Sequence, residues 1–498
     1  MTREAAGSHQ QFSLKDFSGV NTQANRQSIG DTEFAWLENI IPIGHGNARC
    51  VPGPSAVLAT ISPDVANYTT ILNINNIDYW FATTTSGAGY AVNLTSFAVT
   101  KFANSGTFSG TVAITQWKNE RILIIDSSNY RSWDGTTLTN LGGVTGAPST
   151  GSTIASFAGR VWVGSGRTIT FSAPNSYTDF TTASAGGTVI FTDVTLRGNI
   201  TNLTSANNYL YVLGDTSVNL IADVRVVSGI TNFTNTNLTA SVGSSFPQAI
   251  FPFYRSIFFS TRYGFQTLFG ATPKKISDNL DGLFNNIQFS STVSGGQVAI
   301  YNVLCVAFLF QWNDPVVGIR PLIALLVDNK KWCFASQGNN LTLITSGYVG
   351  GVPTLYGTDG TNLFQLFSNT TAAISTKIQT ALWPMASPVI TKQVLKLGVE
   401  VTLTSGTGTF IAMVDTENAS STFQLSGAQT VNWVNNSSQV VGWTNNALQT
   451  ITWVSIGFIL FAQDATNFGK YIGVTLTSQA PQYTLNGILL EYEPRARW

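Results

Sequence analysis

The residue types that do nucleophilic, acid–base or metal chemistry are few in this chain, and their spacing suits none of these. Histidine occurs twice, as His9 and His45, and cysteine three times, as Cys50, Cys305 and Cys333. Three cysteines so far apart make neither a disulfide framework nor a zinc pattern, and reduced thiols are expected. Cys50 near His45 is the one Cys/His neighbourhood, and a packed arm cysteine explains it more simply than a nucleophile with its base. Paired carboxylates could serve glycoside hydrolysis. The local pairs are Asp126 with Asp134, Asp278 with Asp281, Asp415 with Glu417 and Glu491 with Glu493. Asp134 and Asp281 precede Gly135 and Gly282 and read as turn or cap residues. Ser132-Trp133-Asp134-Gly135 places its glycine one position early for a sialidase Asp box. Arg121, Arg131, Arg160 and Arg255 fall at repeat-equivalent or hairpin positions, where capping is expected. Asp278 to Gly282 departs from a calcium loop, and Gly469-Lys470 lacks the upstream glycine and the hydroxyl of a phosphate loop. The expectation is no catalytic residue, no metal and no cofactor: not an enzyme.

Composition narrows the class further. The chain has 498 residues, with 25 Lys+Arg against 25 Asp+Glu, and only 10% of residues are charged. That disfavours binding nucleic acid through a basic patch, and it disfavours charge-driven disorder. The first residues are polar, without a signal-peptide core. The longest apolar run, 303–310, is far short of the ~18 residues a membrane helix needs. A chain made in a cytosol, without a membrane-spanning segment, is expected.

Short β-branched and aromatic runs alternate with Gly, Asn, Asp and Ser, the signature of strands and turns. These runs recur in pairs. Ile114 and Trp117 lead through Lys118-Asn119-Glu120 into 121–125, and Ile154 and Phe157 lead through Ala158-Gly159 into 160–163. Ile200 and Leu203 lead through Asn207-Asn208 into 209–213, and Ile250 and Phe253 through Tyr254-Arg255 into 256–259. With copies near 72, 300 and 341, the period is 40–50 residues. Such a period, at about four short strands per unit, predicts a β-propeller of about six to seven blades. A lone four-stranded sheet cannot bury both faces, so the sheets stack around an axis. Asp134-Gly135 and Asp359-Gly360 read as type I′ hairpin turns.

Two segments fall outside the repeat. Residues 1–60 read as an N-terminal docking arm in which Asp31 caps a short helix over 32–39. Residues 376–498 read as a separate C-terminal β-sandwich domain, with period-two alternation over 394–401. Within it, Trp433, Trp443 and Trp453 are ten residues apart. They are candidates for core packing or for a sugar-stacking platform. The propeller occupies 61–375.

The opening Phe17-Ser18-Gly19-Val20-Asn21, then Glu38-Asn39, then Arg49 followed by Pro52-Gly53, resembles the start of many bacteriophage tail structural proteins. The 263–277 stretch, Tyr263-Gly264-Phe265 through Ile276-Ser277, is similar to a recurring blade of that group. So are the Trp-x-Asn elements and the ending Leu489-Leu490-Glu491-Tyr492-Glu493. The resemblance is to the tail nozzle or head-stabilisation (tail hub) proteins of short-tailed phages. It implies a virion protein made in the host cytoplasm. Six copies would form a ring that extends the DNA channel below portal and adaptor and retains the genome until ejection. Partners would be other copies, the adaptor, needle or fibre proteins, and double-stranded DNA passing without sequence recognition. Interface candidates are Phe17, Asn21, Trp36, Glu38 and Asn39, with Arg495, Arg497 and Trp498 in the basic-aromatic tail. The alternative is a carbohydrate-binding propeller of a fibre or adhesin. Neutral walls suit a DNA conduit, because a basic lumen would hold the polyanion. Polar or acidic lumen residues are therefore expected.

Overall fold

A computed structural model describes residues 9–43, 46–192, 196–270, 272–290, 292–327, 331–385, 387–403, 408–417, 420–427, 433–434, 440–441, 443–444, 450–451, 458–480 and 482–495. The chain is almost wholly β and forms two compact units. One unit comprises 55–324 with 339–366. The other comprises 1–54, 325–338 and 367–498.

The first unit is a β-propeller. Six four-stranded blades are consecutive antiparallel sheets. Their first strands are Ala66–Ile74, Ala113–Trp117, Thr153–Phe157, Ile200–Ala206, Ile250–Phe253 and Leu343–Val349. Between the last two lies a further sheet of Ser294–Ile300, Val303–Asp314 and the start of Gly318–Val327. Several first hairpins close in two-residue turns with both residues left-handed, as at Asn75-Asn76 (φ 52° and 63°), Asn207-Asn208 (53° and 62°) and, in the further sheet, Tyr301-Asn302 (50° and 64°). Asparagine tolerates that region, and the resulting type I′ geometry matches strand twist. The predicted type I′ turns at Asp134-Gly135 and Asp359-Gly360 are instead wider loops. Gly135 and Gly360 take positive φ (102° and 107°), whereas the aspartates do not. Asp134 Oδ1 accepts from the backbone N–H groups of Thr136 and Thr137 at 2.9 and 2.8 Å, and this bridging closes the loop.

The hydrophobic cores lie between blades. Trp80 and Val92 of the first blade pack with Tyr356 and Leu363 of the last. Phe81 packs with Ile122 and Trp133, Leu123 with Val161, Trp162 with Leu210, and Tyr211 with Ile257. Phe265 and Phe308 stack at 4.1 Å, and Ser294 Oγ accepts from Ile344 N at 2.9 Å. The ring therefore closes. Each fully buried side chain of this kind contributes roughly 1.5–3 kcal/mol. The final seal is a strand from before the first blade. Ala59–Thr60 pairs with Asn362–Gln365 as the outer strand of the last blade. Asp64 pins the crossing to the first blade, accepting from Tyr90 Oη at 2.6 Å and Lys101 Nζ at 3.2 Å.

The second unit corrects the sequence reading of the two terminal segments. The expected helix over 32–39 is a strand, Glu33–Glu38, paired antiparallel with Thr376–Thr380 and parallel with Gly19–Val20. Phe34 and Leu37 are fully buried in it, so sheet pairing overrides the weak helical signal. Nor is the C-terminal region separate. Gln10–Leu14 and Ala48–Cys50 both pair with Tyr483–Pro494, which also pairs with Lys392–Leu403. In the other sheet of this unit, Ile472–Ser478 lies between Thr376–Thr380 and Gly408–Thr416. Tyr483 joins the two sheets through a 2.7 Å hydrogen bond with Thr376 and an edge contact on Phe410.

Candidate functional site

The first strands line the propeller axis, so side chains from all sectors share one cavity of about 960 Å³. Its walls carry Thr69, Thr115, Ser156, Asn202, Gln297 and Ser346 among other hydroxyl and amide groups, and Arg262 is its one charged residue. Along these strands the buried apolar residues Ile114, Leu203 and Val298 alternate with the polar Thr115, Asn202 and Gln297. A crossbar spans the axis. The short 3₁₀ turn Pro247–Ala249 precedes the fifth blade. From it Gln248 Nε2 donates to Asn67 O at 2.9 Å on the first blade, and its Oε1 accepts from Thr69 N at 3.3 Å. Asn202 Nδ2 donates to Pro247 O at 3.1 Å and fixes the crossbar from the fourth blade. Three side-chain oxygens of lining residues, Thr69 Oγ1, Asn202 Oδ1 and Gln297 Oε1, are sealed from solvent and have no partner. Sequence reasoning missed this site. Its signal was the run of Ser, Thr and Asn on the first strand of each unit.

The residues with chemical potential are committed to the fold. Asp126 is fully buried beside Arg131, whose Nη1 donates to it at 2.8 Å, and it accepts from Ser128 N and Asn129 N at 2.8 and 2.6 Å. Burial alone would raise its pKa, but these donors together hold it below the ordinary value. Backbone donors, Thr137 first, bring Asp134 down to about 2. Asp278 and Asp281 face Lys275, and Asp281 opens the one-turn helix Asp281–Phe284. Asp415 binds Arg26 at 2.9 Å, and Glu417 binds Lys470 N and Tyr471 N. Glu491 faces His9 at 3.0 Å and Glu493 faces Arg495 at 3.3 Å. No member of a predicted pair is bonded to its mate. Burial pushes the Cys50 and Cys305 thiols up to about 12, which leaves them poor nucleophiles. His45 lies outside the described residues.

The interface candidates of the opening segment are built into the second unit, with Phe17, Glu38 and Asn39 buried and Asn21 and Trp36 half-buried. Phe17 is 1% exposed and stacks on Phe34 at 5.8 Å. Asn21 Nδ2 donates to Glu33 Oε2, and Trp36 Nε1 to Glu38 Oε2, each at 2.8 Å. Asn39, with φ 59°, donates from Nδ2 to Ser375 O and accepts at Oδ1 from Ser336 N, both at 2.8 Å. These residues are therefore a clamp between chain segments and not a free arm. Arg495 is exposed, bonded to Gln393 and Glu493, whereas Arg497 and Trp498 lie outside the described residues. Trp433 and Trp443 each open a separate two-stranded hairpin, opposite Val441 and Ile451. They are not successive strands of one sheet, and Trp453 lies outside the described residues.

No protein-family model matches the chain, and no curated protein matches it. Among solved structures it is similar to the computationally designed protein Ika8, at 12% identity and a TM-score of 0.37, over 63% of this chain and all of that one. Likeness at that level carries no argument.

Proposed function

We propose that the protein is a structural subunit of a short-tailed phage tail, a nozzle or hub ring that prolongs the DNA channel and retains the genome until ejection. The observation that carries this reading is the role of the residues behind the resemblance. Phe17, Gly19, Glu38 and Asn39 hold positions that few other residues could fill. A Cβ at Gly19 (φ 107°) would meet Trp332 O at 2.9 Å, and Asn39 binds three chain segments from a left-handed backbone. A motif with such demands marks a shared scaffold better than a chance match does. The role is mechanical: rigid sheets, buried Arg–Asp clamps and thiols held protonated suit a part that is assembled once. The DNA passage belongs to the lumen enclosed by the subunits, since Gln248 crosses the axis of each propeller. That lumen is expected to be polar or acidic. Adaptor, needle or fibre proteins would be its neighbours in the virion.

Negative-stain images of the purified protein test this reading. A six-fold ring with an open lumen is the expected result. Monomers that bind glycans on an array would favour the carbohydrate-binding alternative. A ring whose lumen is studded with aligned Lys and Arg would overturn the conduit.

A further inference from the structure

We propose that the outer strand of the fourth blade, Ile230–Thr239, pairs edge to edge with the same strand of a second copy of this chain. The strand is last in its sheet and is bonded to Val218–Val227 on one side only. Among the described residues, no backbone hydrogen bond joins 230–236 to the backbone of any other segment. Such an open row of N–H and C=O groups is a template for another strand, and natural sheets blunt it. The other five blades do so. Val99–Ala103 carries Lys101 and a bulge, and Thr272–Lys275 carries Pro273, Lys274 and Lys275. Leu138–Asn140, Gly187–Ile190 and Ala59–Thr60 have only three, four and two residues. Ile230–Thr239 has ten, with neither a charge nor a proline among them.

The strand is held ready for a partner. Val218–Val227 pairs with Tyr209–Gly214 only as far as Ile221 opposite Leu210, so 222–234 continues as a two-stranded ribbon. Left-handed Ser228 and Gly229 (φ 52° and 81°) close it. One face of the ribbon is anchored on the third blade. Phe233 meets Trp162 and Phe171 edge-on at 5.7 and 5.8 Å, and Thr231 Oγ1 donates to Ala185 O. A backbone fixed in this way loses little further freedom on pairing. Asn232 and 234–237 are exposed, and at the tip Ile230 is 71% exposed. The same molecule selects the occupant. Two identical antiparallel strands are related by a two-fold axis, so one surface serves both sides. With no charge on the strand, self-pairing sets no like charges opposite each other, and facing Thr side chains can bond across the join. A head-to-tail contact would need a second open edge, which the other five blades do not offer. The two-fold contact uses up the edge in both copies, so pairs close and do not grow into fibres. The inference does not rest on the tail reading: the pair can join two single chains or two rings.

Light scattering on the full chain over a dilution series tests it. The particle mass is expected to be twice that of the double variant Thr234→Lys with Thr236→Lys, whether that variant is a single chain or a ring. Both threonines are exposed near the middle of the strand and share one face. The lysines therefore crowd like charges at the join and should weaken the pair at least about tenfold, with a native circular dichroism spectrum. Thr234→Glu with Thr236→Glu should do the same. An equimolar mixture of the two variants should regain the doubled mass, which a merely structural role of the threonines would not produce. Hydrogen exchange of the native chain keeps the test decisive if the variants misfold: protection of 230–237 should fall as dilution separates the pairs. A native chain that at about 100 µM has the mass of its lysine variant, which bounds the affinity at that level, would overturn the proposal. So would a doubled mass that survives both double substitutions, a mixture that fails to pair, or fibres in place of closed pairs.

Discussion

The two units use the same material and opposite wiring. In the propeller nearly every sheet is one uninterrupted stretch of chain, its strands joined by local turns and loops. In the second unit a single strand such as Tyr483–Pro494 touches Gln10–Leu14, Ala48–Cys50 and Lys392–Leu403. Its partners are hundreds of residues apart. Local contacts carry little loop-closure entropy, whereas pairings across that separation carry more. The propeller can form blade by blade, while the second unit needs both ends of the chain.

Substitutions can break or sharpen that contrast. Arg131→Leu has the largest expected effect: Asp126 stays fully buried without its cation, and denaturant melts should show a loss of about 3–5 kcal/mol. Hydrogen exchange should report that loss first in 113–140, the contiguous blade. Asn39→Ala comes next. It strands Ser375 O and Ser336 N and puts a Cβ without side-chain compensation at φ 59°, for about 2–4 kcal/mol by the same melts. Its exchange should rise in three places distant in sequence, near 33–38, 331–336 and 375–380. If only one of the three responds, the interleaved picture fails. Asn208→Val places a β-branched residue at φ 62° and should cost about 1–2 kcal/mol, confined to one hairpin.

The smallest effect is a pH dependence. Asp126, Asp134, Asp314 and Asp359 of the propeller all have carboxyls held below 3.8. A depressed folded value means stability that is present above the unfolded value near pH 4 and lost as pH falls through the folded values, toward about 2 for Asp134. Asp134→Asn should flatten that acid limb slightly in melts between pH 4 and 2, because this carboxylate is largely solvated.

What was legible in the sequence follows the same division. The period, the paired runs around Asn207-Asn208 and Tyr254-Arg255, and the inward apolar positions were visible because a blade is local. The aspartate loops were misread because Asp-Gly signals a hairpin without saying how wide. The strand Glu33–Glu38 was misread because nothing within 32–39 shows that Thr376–Thr380 will lie beside it. The axial site was invisible for a related reason. Asn67, Asn202, Gln248 and Gln297 belong to different blades, and only closure of the ring brings their amides together.

Closure also sets a timetable. Ala59–Thr60 leaves the ribosome long before Asn362 and Leu363, its partners in the last sheet. At about 5–20 residues per second, the 301 positions between Thr60 and Asn362 take roughly 15–60 s to be made. Through that interval the nascent ring is an open arc with two unsealed edges, and a chaperone, or a sister chain on the same message, has time to reach them.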